Sequence, residues 1–254
     1  EKALAEIAYP QTGRLAGVKV GEKKAGRGVF ADSLVVVYSC RMYLDSRIEE
    51  IRNTWVNDLE KYGIPYLVLV GDGDNSIQGD VLALDVSDKY EHLPLKSLKL
   101  VEWVYKHTDY QYLIKVDDDC FLNVDQYFGS MSYRKFHYYG RRLYRPHGGT
   151  DRQWHKSKST TLRARLSLDK SPEPSEYADG GTGYSLSRLA MQEILSAAES
   201  VNGVRLVNSS FMEDKMIGDL LAMGNIAVAD EDYYTLVRRR TFPEAVPVSM
   251  YANT

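Results

Sequence analysis

Cysteine is nearly absent from this chain. Cys40 and Cys120 are the only two, and they offer neither a zinc-ligand spacing nor a disulfide framework, so a reducing compartment fits best. Long apolar runs are missing too: no stretch reaches 18 apolar residues, which argues against a membrane-spanning helix, and the N-terminus has no apolar signal-peptide core. Histidine is scarce, with five in all and none beyond His155. There is no internal repeat. The expectation is a soluble chain, although a start at Glu1 leaves a trimmed anchor or a larger parent protein open. One acceptor-like sequon, Asn208-Ser209-Ser210, is the sole hint of a secretory route, and three-residue matches of that kind arise often by chance.

Large charge of either sign is also lacking overall, yet the net −3 conceals an asymmetry. From Arg134 to Lys170 there are eleven Lys or Arg against two acids, leaving about −12 on the remainder. Tyr133, Phe136, Tyr138, Tyr139, Tyr144 and Trp154 lie in or beside that stretch. Basic residues mixed with aromatics suit nucleic acid, an anionic glycan or a membrane surface, and equally a solvated basic face over buried tyrosines.

What is present is a pattern of strands and helices. At 254 residues and 44% hydrophobic content the chain can form one large α/β domain. Leu34 to Tyr38 reads as a buried strand, and Ile48, Ile51, Trp55 and Leu59 recur at helical spacing behind a Ser46…Glu49 capping box, so the helix starts at about Arg47. Tyr66 to Val70 is the next strand, closed by a Gly71-Asp72-Gly73-Asp74 turn that lacks the glycine and glutamate of a calcium loop. Val81 to Leu84 is a short strand. Pro94 opens a helix carrying Leu95, Leu98, Val101 and Tyr105, and Ser187 to Ser200 and Met212 to Met223 are two more, the last ended by Gly224-Asn225. Residues 130–180 break the rhythm and read as a long excursion or partly ordered loop. The tail from Asp230 shows no clear pattern. Alternating strands and helices imply a Rossmann-like, doubly wound, mostly parallel mixed sheet flanked by helices in a single domain over 1–254: a nucleotide-binding half at 31–130, the excursion at 131–180 and an acceptor and catalytic half at 181–254. Ligands of such sheets bind at the carboxyl ends of the strands, where Ser39, Asp72 and an aspartate cluster would emerge.

That cluster is the strongest chemical signal. Tyr112-Leu113-Ile114-Lys115-Val116 runs into Asp117, Asp118 and Asp119. Alternate strand positions project to one side, so Asp117 and Asp119 could share a divalent cation through hard oxygen ligands, with Asp118 turned elsewhere. A charged turn after a buried strand is the plain alternative.

Four separated segments fit one pattern: Arg47-Ile48-Glu49-Glu50-Ile51-Arg52-Asn53-Thr54-Trp55, Asp88 to Lys96, the triplet, and Gly181-Thr182-Gly183-Tyr184 followed by Glu213-Asp214. In order and spacing, over about residues 33–226, they resemble the β-1,3-glycosyltransferase family that includes the β-1,3-galactosyltransferases and fringe. The resemblance implies a GT-A fold, a UDP-sugar donor, Mn²⁺ as cofactor, and inverting transfer of a Gal, GlcNAc or GalNAc-type hexose to a glycan or glycolipid hydroxyl in β-1,3 linkage. It implies no nucleic-acid partner. Asp119 is then the first metal ligand and Asp117 the second or an orienter of the donor, while Asp118, Ser39, Arg47, Lys96, Gly181 and Gly183 line the nucleotide-sugar. Arg47 near a helix start suits phosphate recognition. Arg52 and Trp55 read as structural.

Asp214 is the candidate general base, because its neighbour Glu213 is accounted for by a second capping box, Ser210 to Glu213. Ordinary complementation of the helix dipole is the competing account of both acids. Three departures from the family stand out: no histidine follows Glu213-Asp214, the cysteine framework of secreted members is missing, and the basic excursion is long. The missing cysteine framework favours a cytoplasmic protein, with attachment at the inner membrane face or, were an anchor trimmed, a Golgi lumen as alternatives. Rival readings are a nucleotidyltransferase and a non-catalytic glycan- or nucleic-acid-binding domain.

Overall fold

A computed structural model of the chain describes residues 28–148, 157–162 and 169–239. Five apolar residues and a serine form β1 (Ser33–Tyr38), every one of them buried. The helix expected next is two helices, α1 (Arg47–Arg52) and α2 (Trp55–Tyr62). Thr54 parts them: its Oγ1 donates to the carbonyls of Glu50 and Ile51, in competition with the helical ladder. Gly63, at φ +67°, ends α2 in the left-handed conformation that suits glycine. Then follow β2 (Tyr66–Val70), β3 (Ser76–Gln78), β4 (Val81–Ala83) and α3 (Leu93–His107), with Pro94 in its first turn. The aspartate-tipped strand is β5 (Tyr112–Asp117), and a tight turn leads to β6 (Cys120–Leu122) and α4 (Val124–Ser130).

The described part of the excursion forms strands that its sequence does not suggest. It contributes β7 (Tyr138–Gly140), β8 (Arg142–Arg145) and β9 (Ser175–Ala178), the last two pairing with each other. Aromatic spacing hid these strands, since Tyr138, Tyr139 and Tyr177 are core side chains, whereas the sequence invited reading them with the neighbouring basic residues. Trp154 and several of the basic positions lie outside the described residues. β10 (Tyr184–Ser187) leads into α5 (Arg188–Glu199), α6 (Val201–Ser209) and α7 (Glu213–Met223), of which α6 has no counterpart in the sequence reading. The tail from Asp230 forms α8 (Tyr233–Leu236) and β11 (Val237–Arg239), and β11 pairs antiparallel with β6.

Seven strands form one mixed sheet in the order β3-β4-β2-β1-β5-β10-β7. The four strands β4, β2, β1 and β5 are mutually parallel, while β3 and β10 run antiparallel to their neighbours. Alternation along β1 sorts the core: Leu34, Val36 and Tyr38 join the layer of α3, α5, α6 and α7, and Val35 and Val37 join that of α1, α2, α4 and α8. Burying each such side chain is worth about 1.5–3 kcal/mol. Helices on both faces leave the carboxyl edge of the parallel strands as the open crevice.

Both expected capping boxes fail. Ser46 caps nothing with its side chain, and Glu49 pairs instead with Arg52. Ahead of α7 the carboxylate of Asp169 accepts from the N–H groups of Phe211 and Met212, Ser210 Oγ donates back to the Leu206 carbonyl, and Glu213 turns inward.

Candidate functional site

Each aspartate of the triplet has its own cation, and the three cations come from three different elements. Lys115 Nζ donates to Asp117 Oδ1 at 2.7 Å, Arg47 Nη1 to Asp118 Oδ1 at 2.7 Å, and Arg239 Nε to Asp119 Oδ2 at 3.1 Å. Strand alternation accounts for the first pair only, because Lys115 and Asp117 stand two apart on β5 and share a face. Asp118 and Asp119 lie in the turn beyond the strand, so their directions follow from the turn and not from the pleat. Asp118 faces β1 and α1, where Ser39 Oγ also donates to its Oδ2 at 2.6 Å.

Ser39 and Arg47 are thus joined to the triplet. Lys96 lies deeper. Its ammonium, 1% exposed, bonds Asp88 Oδ1 at 2.6 Å and the Ser39 carbonyl, and Asp88 accepts in turn from the N–H groups of Arg41 and Gly71. Burial draws the Lys96 pKa down, against the pull of Asp88. The group braces the loop after β1. Arg52 and Trp55 are structural as expected: Arg52 clamps Asp80, and the buried Trp55 indole donates to the Cys120 carbonyl at 3.1 Å.

The opposite wall is the Gly180–Gly183 loop and the start of α7. Gly183 sits at φ +84°, and a Cβ there would lie 2.0 Å from the Lys115 carbonyl oxygen, so only glycine allows this loop to press against β5. Asp214 Oδ2 accepts from Gly180 N at 3.0 Å and Oδ1 from Lys215 N at 2.8 Å. Burial, then the Glu213 charge, pushes the Asp214 carboxyl up to about 7. Glu213 is held by Ser97 Oγ at 2.8 Å and Tyr184 OH at 2.6 Å, with the Lys115 ammonium 3.9 Å away.

Lys115 and Arg239 had no place in the sequence pattern, and Asp88 and Tyr184 stood in it without a role of their own. Lys115 is 2% exposed and sits against the rings of Tyr38 and Tyr184, and although burial opposes its charge, Asp117 and Glu213 together raise its pKa. The i, i+2 spacing from Asp117 was its available signal. Tyr90 also belongs to this neighbourhood: burial, then the charges of Asp214 and Glu213, raises its hydroxyl pKa. Desolvation likewise raises the Asp117 carboxyl against the pull of Lys115.

Hard carboxylate oxygens suit a divalent cation in kind, and Asp117 and Asp119 are the residues that could hold one. Among the described residues no group of three or more His, Cys, Asp or Glu side chains is gathered as a metal cluster. Two carboxylates fit an ion that takes its remaining oxygens from water or a bound ligand. A surface groove of about 660 Å³, lined by Asp125, Gln126, Lys135, Glu231 and Thr235 among others, contains none of the predicted site residues. Among the described residues no helix is long and apolar enough to cross a membrane.

Comparison with known proteins shows the family. The galactosyltransferase family profile matches residues 46–232. β-1,3-Galactosyltransferase 4 of Rattus norvegicus is 28% identical over 138 residues, 49% of this chain and 33% of that protein. The Canis lupus familiaris protein of the same name is 26% identical over 192 residues, 63% of this chain and 50% of its own. UDP-GalNAc:β-1,3-N-acetylgalactosaminyltransferase 2 of Danio rerio is 37% identical over 57 residues, 22% of this chain and 12% of that protein. The alignments span half or less of these relatives. A solved structure titled Crystal Structure of A197 from STIV superposes over 78% of this chain and 81% of its own, with 12% identity and a TM-score of 0.36, too little likeness to add to the fold assignment.

Proposed function

Because the chain belongs to the galactosyltransferase family, we propose that it is an inverting glycosyltransferase of GT-A type, moving a hexose from a UDP-sugar to a glycan hydroxyl in β-1,3 linkage. The observation that carries the reading is the aspartate triplet at the carboxyl end of β5, facing Asp214 across the Gly180–Gly183 loop. The names of the relatives, both β-1,3-transferases and one with UDP-GalNAc as donor, favour the donor class and the linkage.

A Mn²⁺ ion held by Asp119 and Asp117 would supply Lewis-acid stabilisation of the diphosphate leaving group. The chain's own residues do the rest. Arg47, anchored by Asp118 and stacked 3.9 Å from the Tyr43 ring centroid, presents a guanidinium edge to a phosphate. Ser39 and the Asp88–Lys96 brace fix the loop after β1, and Gly183 lets the Gly180–Gly183 loop lie against β5. Asp214, oriented by two backbone N–H groups, takes the proton of the acceptor hydroxyl as that oxygen attacks the anomeric carbon, and the electrons of the breaking glycosidic bond leave with UDP. A carboxyl pushed up to about 7 is a stronger base than an ordinary aspartate and is ionised just above neutrality.

Calorimetric titration with UDP, GDP and CMP, with and without Mn²⁺, tests the donor class. Selective, manganese-dependent binding of UDP supports the reading, and UDP release from a UDP-sugar with an acceptor completes it. Pyrophosphate as product would instead indicate nucleotidyl transfer.

A further inference from the structure

Of the three ion pairs on the triplet, only one is built to open. Lys115 is 2% exposed, ringed by Tyr38 and Tyr184 and bonded to the Gly180 carbonyl at 3.1 Å, so Asp117 keeps its partner. Arg47 is pinned between Asp118 and the Tyr43 ring. Arg239 differs: its side chain is 42% exposed, and it hydrogen-bonds Asp119 through Nε, with neither terminal nitrogen in a hydrogen bond to that carboxylate.

Its root, by contrast, is fixed. The β11–β6 ladder sets Arg239 opposite Cys120, and Val237, buried opposite Leu122, anchors the strand. The guanidinium is therefore carried from a defined point beside the aspartates. It lies over Gly181, where an added Cβ would come within 2.4 Å of Nη1. Asp119 Oδ2 is occupied by the guanidinium, and Oδ1 lies 3.7 Å from the Cys120 thiol. A divalent cation entering at Asp119 meets a positive charge already seated there.

We propose that Arg239 gates the metal site: in the free protein its guanidinium neutralises Asp119 and holds divalent-metal affinity down, and an incoming diphosphate draws it away. This rests on the donor-site reading above. A diphosphate is a multivalent anion matched to the guanidinium fork, so it competes with a single contact to Asp119 made by a partly exposed arginine. Once Arg239 turns to phosphate, Asp119 is left negative beside Asp117 and binds metal. Linkage makes the effect reciprocal, so metal tightens the diphosphate by the same factor as the diphosphate tightens metal.

The test is calorimetry of Mn²⁺ and of UDP, each alone and in the presence of the other, on the full chain and on R239Q. In nucleotide-free R239Q, Mn²⁺ binding should tighten roughly fivefold or more, UDP binding should weaken, and the coupling factor between them should shrink. A merely structural arginine would weaken both ligands together. Unchanged or weaker Mn²⁺ binding by a folded R239Q would overturn the proposal. Should R239Q fail to fold, G181A keeps the arginine but crowds Nη1, and nucleotide-free Mn²⁺ binding should again tighten; no gain there overturns the proposal as well. If the unaltered protein binds neither UDP nor Mn²⁺, the donor-site reading itself fails.

Discussion

At the scale of single residues, Asp214 carries the sharpest expectation. As general base it should contribute about 10²–10⁴-fold to turnover, so Asp214→Asn should lower kcat by that order while leaving UDP affinity nearly unchanged. With the carboxyl pushed up to about 7, kcat/KM should fall tenfold per pH unit below neutrality, and the Asn variant should lose that limb. Stability moves the other way. The unfolded chain releases this proton near pH 4, whereas the folded protein holds it until about 7, so the group's contribution to stability falls as pH rises between those values. The Tm of Asp214→Asn minus that of the parent, measured with a chelator present, should therefore grow from pH 4 to 7 and level off above. A flat difference would remove the raised carboxyl. Asp214 and the triplet were legible in the sequence because each signal is local: a strand running into acids, and an acidic pair at a helix start. Glu213 was misread for the same reason. A local capping rule assigned it, while Ser97 and Tyr184, distant in sequence, claimed its carboxylate.

At the scale of elements, strands and helices with strong apolar periods were found within a residue or two, apart from the helix that Thr54 divides, and the strands missed in the excursion and the tail share one cause. β7, β9 and β11 are three or four residues long and owe their existence to partners far along the chain: β10, β8 and β6. No window of sequence contains that information. The contact between the Gly180–Gly183 loop and β5 is likewise long-range and sterically exacting. Gly183→Ala should cost about 3 kcal/mol or more, through a strained positive φ and a methyl driven into the Lys115 carbonyl, read by urea denaturation. A loss below about 1 kcal/mol would mean that the loop yields easily. The strap from the excursion to α7 gives a second case. Lys215, fully buried, bonds Asp219 at 2.7 Å, Ser171 Oγ at 2.9 Å and the Pro172 carbonyl at 2.5 Å. Lys215→Met should destabilise by about 3–5 kcal/mol by stranding Asp219, and adding Asp219→Leu should recover much of the loss. If the double variant is no better than the single one, the strap matters through its geometry and not through its charges.

At the scale of the whole molecule, the cleft draws on every layer. Arg47 comes from α1 on one face of the sheet, Glu213 and Asp214 from α7 on the other, the aspartates from the turn after β5, and Arg239 from the last described strand. A ligand touching all of them ties the two helical layers through the sheet, so its binding energy should appear as global stabilisation. At a UDP concentration 100 times Kd with Mn²⁺ present, linkage gives about 2.7 kcal/mol, and a domain of this size gains roughly 2–4 °C in Tm per kcal/mol. The expected shift is therefore about 5–11 °C. Native-state hydrogen exchange separates this from a local effect: Leu59 in α2 and Leu220 in α7, both fully buried on opposite faces, should gain protection together. Protection confined to α7 and the Gly180–Gly183 loop would mean that the ligand never spans the cleft, and Arg47 would lose its place in phosphate recognition.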